Sequence, residues 1–86
     1  MMTEQEKLCN AVDVFAVAMK HRLVEKEKQG FSGWDDKDIH SNSLPTRLML
    51  GASRVYALME YSKTNLRKKM LIDIANYAMM IWRKLS

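Results

Sequence analysis

The chain has 86 residues, room for one small domain and no more, so a single domain over 1–86 is expected. A monomer of this size buries only about 60–65% of its unfolded surface, and the lone Cys9 excludes an internal disulfide as a remedy. The net charge of +4 is uneven: residues 1–40 carry six Lys/Arg against eight Asp/Glu, whereas residues 41–86 carry eight against two. A basic second half favours an anionic partner or a plain solvated face. No apolar run nears the roughly 18 residues of a membrane span or resembles a secretory signal, so no membrane role is expected.

Residues 4–29 are predicted as the first helix, because Leu8, Val12, Phe15, Met19 and Leu23 recur at three- and four-residue spacing. Ala11, Val14, Val17 and Ala18 form a second apolar row. A helix apolar on both sides must be covered on both sides. In so short a chain the second cover is expected from another copy, giving a dimer or higher homo-oligomer. Cys9, within this pattern, is expected as a buried thiol in a reducing cytoplasm. The helix turns charged from Lys20, leaving His21 on a surface, and Gly30 is its natural stop.

Residues 30–43 form a polar connection with Phe31 and Trp34 as its only large apolar anchors. Ser43 can cap a second helix over 44–61, with Pro45 in its first turn and Leu44, Leu48, Ala52, Val55, Leu58 and Met59 facing inward. Gly51, Ala52 and Ser53 would let another backbone approach closely. A short joint at 63–65 precedes a third helix over 66–84, whose apolar set includes Met70, Leu71, Ile74, Ala75, Tyr77, Ala78, Ile81 and Trp82. The expected fold is all-α: three antiparallel helices completed by homo-oligomerisation.

An enzymatic metal site would need several carboxylates at helical spacing, since Mg²⁺ takes oxygen ligands and bridges phosphates. Asp73 is alone on its helix, Glu25 and Glu27 point apart, and Asp35, Asp36 and Asp38 cluster in a loop without a second cluster. His21 and His40 have no Cys or Ser partner at informative spacing, and two histidines with one cysteine fall short of zinc ligation. No catalytic residue, metal or cofactor is therefore expected. Binding is better provided for. Arg47, Arg54 and Tyr61 fall seven apart on one helical face; arginine forks hold phosphate oxygens and tyrosine stacks on a base. Arg67, Lys68 and Lys69 open the third helix against its dipole. The charge is too modest, however, for a duplex-binding recognition helix, so duplex nucleic acid is not the expected partner. Asp73 and Asn76 share a face, open to three readings: a polar surface stripe with a Lys69–Asp73 pair, an edge that reads a ligand beside Trp34, or an anchor for the 30–36 loop.

Phe15-Ala16, Met19, Arg22-Leu23, Lys26, Gly30 and Gly33-Trp34-Asp35-Asp36, followed by Asp73, Ala75-Asn76-Tyr77 and Met79-Met80, resemble a module of small tailed-phage and prophage accessory proteins. That module carries a Gly-Arg-x-Gly-Trp-Asp-Asp loop and a later Gly-Asp-Pro-Val-Asp-Val-Ala-Asn-Phe-x-Met-Met helix. The matching positions are Arg22, Lys26, Trp34, Asp35, Asp36, Lys68, Asp73 and Asn76. Phe31 replaces the module's arginine, and Lys69-Met70-Leu71 replaces its Gly-Asp-Pro. The last helix also faintly resembles the all-α nucleotide pyrophosphohydrolases, without their metal carboxylates.

The resemblance implies a phage protein acting in the host cytoplasm, in host takeover or counter-defence. The expected function is non-enzymatic: sequestering a nucleotide-like anion of the cyclic nucleotide or ADP-ribose type at a subunit interface. Trp34 or Tyr61 would stack the base. Arg22, Lys26, Arg47, Arg54 and Lys68 would supply positive charge, and Asp73 and Asn76 would read polar edges. The alternatives are an inhibitor docking methionine-rich faces on a host protein and, third, a nucleotide pyrophosphohydrolase.

Overall fold

A computed structural model describes residues 1–31, 34–35, 43–57 and 64–85. They form three α-helices: α1 (Glu4–Lys28), α2 (Ser43–Ala57) and α3 (Thr64–Lys84), with no strand among the described residues. All-α is therefore the fold class. Residues 58–61 of the expected second helix, including Leu58 and Met59, lie outside the described residues. The third helix starts at Thr64, two residues earlier than expected. Thr64 and Asn65 are not a joint but opening residues of the helix, as suits side chains that can satisfy unpaired amides at a helix start.

Both ends of α1 are fixed by local chemistry. Thr3 caps it, its hydroxyl accepting from the Glu6 amide at 3.1 Å, while Glu4 and Glu6 complement the dipole of the first turn. At the other end Gly30 takes φ +98°, where an L side chain is strained. The Gly30 amide then donates to Glu27 O at 2.9 Å and the Phe31 amide to Lys26 O at 3.0 Å. This is the two-bond closure of a Schellman cap, and it folds Phe31 back over the end of the helix.

The central element is α3, which packs on both α1 and α2; among the described residues those two helices do not approach each other. Gly51 of α2 permits the close approach to α3, since a Cβ there would lie 3.0 Å from Ile74 Cγ1. The deepest side chains among the described residues are Leu44 of α2 with Asn76 and Met80 of α3, each 3% exposed or less.

Helix α1 departs most from expectation. Not one of its 25 residues is buried. The first apolar row splits: Met19 and Leu23 are half-buried, but Leu8, Val12 and Phe15 are 60%, 66% and 39% exposed. Cys9 is exposed rather than buried. The reason is reach: 25 residues make a rod of about 37 Å, and α3 covers mainly its second half. Leu71 and Trp82 of α3, and Ala52 of α2, are exposed for the same want of a covering layer. The Cα radius of gyration is 14.7 Å, against about 12 Å for a compact chain of this length.

Candidate functional site

Where α1 crosses α3, an ion pair joins them. Arg22 donates from Nε to Asp73 Oδ1 at 2.9 Å and from Nη2 to Oδ2 at 3.3 Å, across 51 residues of sequence. This is the two-pronged arginine–carboxylate arrangement, with side chains only 12% and 23% exposed. Glu25 adds a second carboxylate at 3.3 Å from Arg22 Nη1. The hydrogen bond to Asp73 is the main cause of a raised Arg22 pKa; desolvation opposes it, and the charges of Asp73 and Glu25 add to it. Stability carried by a raised group is complete below its unfolded pKa and lost only as pH climbs through the folded one. For arginine that window lies above any working pH, so this pairing is constant through the neutral range.

One turn along α3, Asn76 donates from Nδ2 to Met19 O at 3.3 Å. Its other amide atom, Oδ1, is buried without a hydrogen-bond partner. Asp73 and Asn76 thus hold α1. Among the described residues Asp73 pairs with Arg22 rather than Lys69, and Asn76 bonds a carbonyl of α1. A space of about 10 Å³, close to the smallest that holds one water, lies between Phe31, Leu23, Tyr77, Met80, Asp73 and Asn76. Among the described residues, Phe31 is the loop residue that lines this space. Trp34, expected there, is half-buried and does not line that space. The cap places Phe31 there, because the Schellman turn at Gly30 returns the very next side chain to the helix end.

On the α2 side of the clasp opens a cleft of about 310 Å³. Lys26 of α1, Arg47 and Arg54 of α2, and Asp73 and Tyr77 of α3 contribute its polar groups, over an apolar floor that includes Leu50 and Ile74. Four of the expected ligand residues therefore meet: Lys26, Arg47, Arg54 and Asp73. Arg47 and Arg54 fall on one face of α2, two turns apart, as their spacing required. Among the described residues neither arginine, nor Lys26, is in a salt bridge. The one carboxylate lining the cleft there is engaged by Arg22. Lys68 lies elsewhere, on a second groove between α1 and α3, and Tyr61 lies outside the described residues. Tyr77 was missed as a site residue because it reads as core; its position four residues after Asp73, on the same helix face, was the available signal.

Among the described residues no three His, Cys, Asp or Glu side chains gather where a metal could bind. No helix there is long and apolar enough to cross a membrane. In comparison with known proteins, the chain matches no protein family, no curated protein and no solved structure.

Proposed function

We propose that this chain is a non-enzymatic binding protein that sequesters a nucleotide-like anion in the Lys26–Arg47–Arg54 cleft. One observation carries the reading: three cations without an acidic partner among the described residues converge on a single concave site. Unneutralised, converging arginines suit phosphate, which they hold with paired N–H donors. Tyr77 beside them offers a face for a base, the role first given to Trp34 or Tyr61. Asp73 serves the cleft by holding Arg22 and thereby α1, and Asn76 likewise holds the Met19 turn. A volume of about 310 Å³ is at the small end for ligand sites. It suits one nucleotide unit better than a dinucleotide. The absence of a second carboxylate beside Asp73 among the lining residues supports binding over phosphate hydrolysis.

The wider setting follows from the sequence motifs: a phage protein of the host cytoplasm, titrating nucleotide signals such as cyclic nucleotides or ADP-ribose derivatives in counter-defence. Antiparallel packing of α2 on α3 and completion by further copies of the chain belong to the same reading. A second reading, an inhibitor that docks on a host protein, is favoured by the exposed apolar length of α1 and by the exposed Met1, Met2 and Met49.

Thermal melts with inorganic phosphate, 3′,5′-cyclic mononucleotides, ADP-ribose and nucleoside triphosphates test the binding. A ligand at 100 times its dissociation constant contributes about 2.7 kcal/mol. In a domain this small that raises the midpoint by roughly 10–20 °C. The Arg47→Ala/Arg54→Ala double variant should abolish the shift and leave the ligand-free melt in place, since both side chains are exposed. No shift with any of these anions overturns the reading.

A further inference from the structure

The chain exposes 7097 Å², whereas a compact monomer of 10.0 kDa exposes about 5,200 Å². The surplus is about 1,900 Å² per chain on that scaling, and the first half of α1 contributes exposed Leu8, Val12, Val14 and Phe15 to the apolar surface. Leu8, Val12 and Phe15 form a row at four- and three-residue spacing along it, with Ala11 beside them. Next to this row a groove of about 660 Å³ runs between α1 and α3, bounded by Ala11, Phe15, Leu71 and Ile72, with Lys7 and Lys68 among its lining. Nothing among the described residues of the same chain covers it.

We infer that the occupant of this surface is α1 of a second copy, packed antiparallel about a two-fold axis near Ala11 and Val12. The inference rests on the homo-oligomer reading above and names its surface and geometry. Area leaves room for it: the surplus on two chains, about 3,800 Å² on that scaling, can hold an interface inside the range typical of obligate homodimers, roughly 2,000–5,000 Å². Charge supports it independently. Two antiparallel helices crossing near residues 11 and 12 bring the first turn of one beside residues 16–19 of the other. The groove beside α1 is flanked by α3 with Lys68. Residues 4–7 carry Glu4 and Glu6 against Lys7, so a start of net negative charge on one chain meets the basic start of the other's α3. Like charge at the start of α3 works against that helix's dipole, and the partner's Glu4 and the partner's Glu6 offset it. The register also sets Leu8 opposite the partner's Phe15 and Ala11 opposite the partner's Val12. A two-fold interface requires this kind of self-complementary apolar row.

Light scattering of the full chain after size exclusion reads the mass. Wild type should run at twice the 10.0 kDa chain mass, or at a larger even multiple, and Val12→Glu should halve it. A wild type that stays at 10.0 kDa at high micromolar concentration overturns the homo-oligomer reading itself. A Val12→Glu variant that keeps the wild-type mass overturns the α1 surface and leaves oligomerisation standing. Should Val12→Glu lose its helical circular dichroism, a disulfide test decides. In a Cys9→Ser background, Val12→Cys should cross-link to a covalent dimer under mild oxidation. Val17→Cys should not, because five residues on an α-helix turn it well away from the Val12 face. Failure of Val12→Cys to cross-link, or equal cross-linking of the two, overturns the arrangement.

Discussion

Replacing Asp73 by Asn should lower stability and raise affinity for an anion, two effects of opposite sign from one atom change. The asparagine keeps the side chain's size but cannot accept both prongs of Arg22 as a charged partner. Exposed ion pairs are worth about 0–1 kcal/mol, and breaking buried ones costs about 3–5 kcal/mol. With Arg22 and Asp73 at 12% and 23% exposure the loss belongs between these, about 1.5–3 kcal/mol. The second effect is electrostatic. Asp73 lines the cleft, so a phosphate bound there sits within roughly 8 Å of the carboxylate. One unit charge at that distance is worth about 0.5–2 kcal/mol, between the dielectric of water and that of a protein surface. Its removal should tighten anion binding roughly 2- to 30-fold, less at high salt. Arg22→Met breaks the same clasp but leaves the carboxylate unpaired, so it should lose comparable stability and weaken anion binding. Urea denaturation and calorimetric titration with a mononucleotide separate the two effects. Weaker binding by Asp73→Asn would mean that Asp73 touches the ligand or that the clasp's hold on Lys26 outweighs the charge removed. A stability change no larger than that of an exposed surface pair, under about 0.5 kcal/mol, would mean that the clasp does not hold α1 to α3.

Two backbone positions give sharp tests of the packing. Gly30→Ala puts a Cβ at φ +98° and should cost about 1–2 kcal/mol in a urea midpoint. An unchanged midpoint would show that the helix can end without this cap. Gly51→Ala gains about 1 kcal/mol of helix propensity but drives a methyl to 3.0 Å from Ile74 Cγ1. Ile is stiff about χ1 in a helix and overpacking costs about 1–3 kcal/mol, so a net loss of about 1 kcal/mol is expected from thermal melts. A gain would show that Ile74 yields.

Local signals were legible in the sequence because their causes are local. The three periodic stretches, the stop at Gly30 and the permissive Gly51 follow from side-chain spacing and from the lack of a Cβ. The Arg47–Arg54 stripe was legible in the same way, since residues seven apart on a helix share a face. What could not be read was the partner of each face. Asp73 finds Arg22 across 51 residues, a meeting set by how α1 crosses α3. Phe31 lines the space beside Asp73 and Asn76 because the helix end closes by a Schellman turn, a backbone event that Gly30 permits but whose side-chain consequence lies one residue on. Leu8 and Val12 looked like core because period alone marks a face as apolar. It says nothing of whether the same chain can cover it.

Both proposals meet in α1. Its second half supplies Lys26 to the anion cleft and Arg22 to the clasp beneath it, whereas its first half is the surface assigned to a second copy. A helix held at one end by a two-pronged ion pair and an amide hydrogen bond leaves Lys26 only as well placed as those bonds are firm. Packing the free end against a second copy restrains the whole rod and so fixes Lys26 over Arg47 and Arg54. Binding linkage then runs both ways: whatever dimerisation adds to anion affinity, the anion must return to dimer affinity. Diluting the protein through its dissociation range should weaken anion binding, and adding the anion should shift that range to lower concentration by the same factor. Anion affinity independent of the assembly state would separate the two halves of α1 into unrelated tasks.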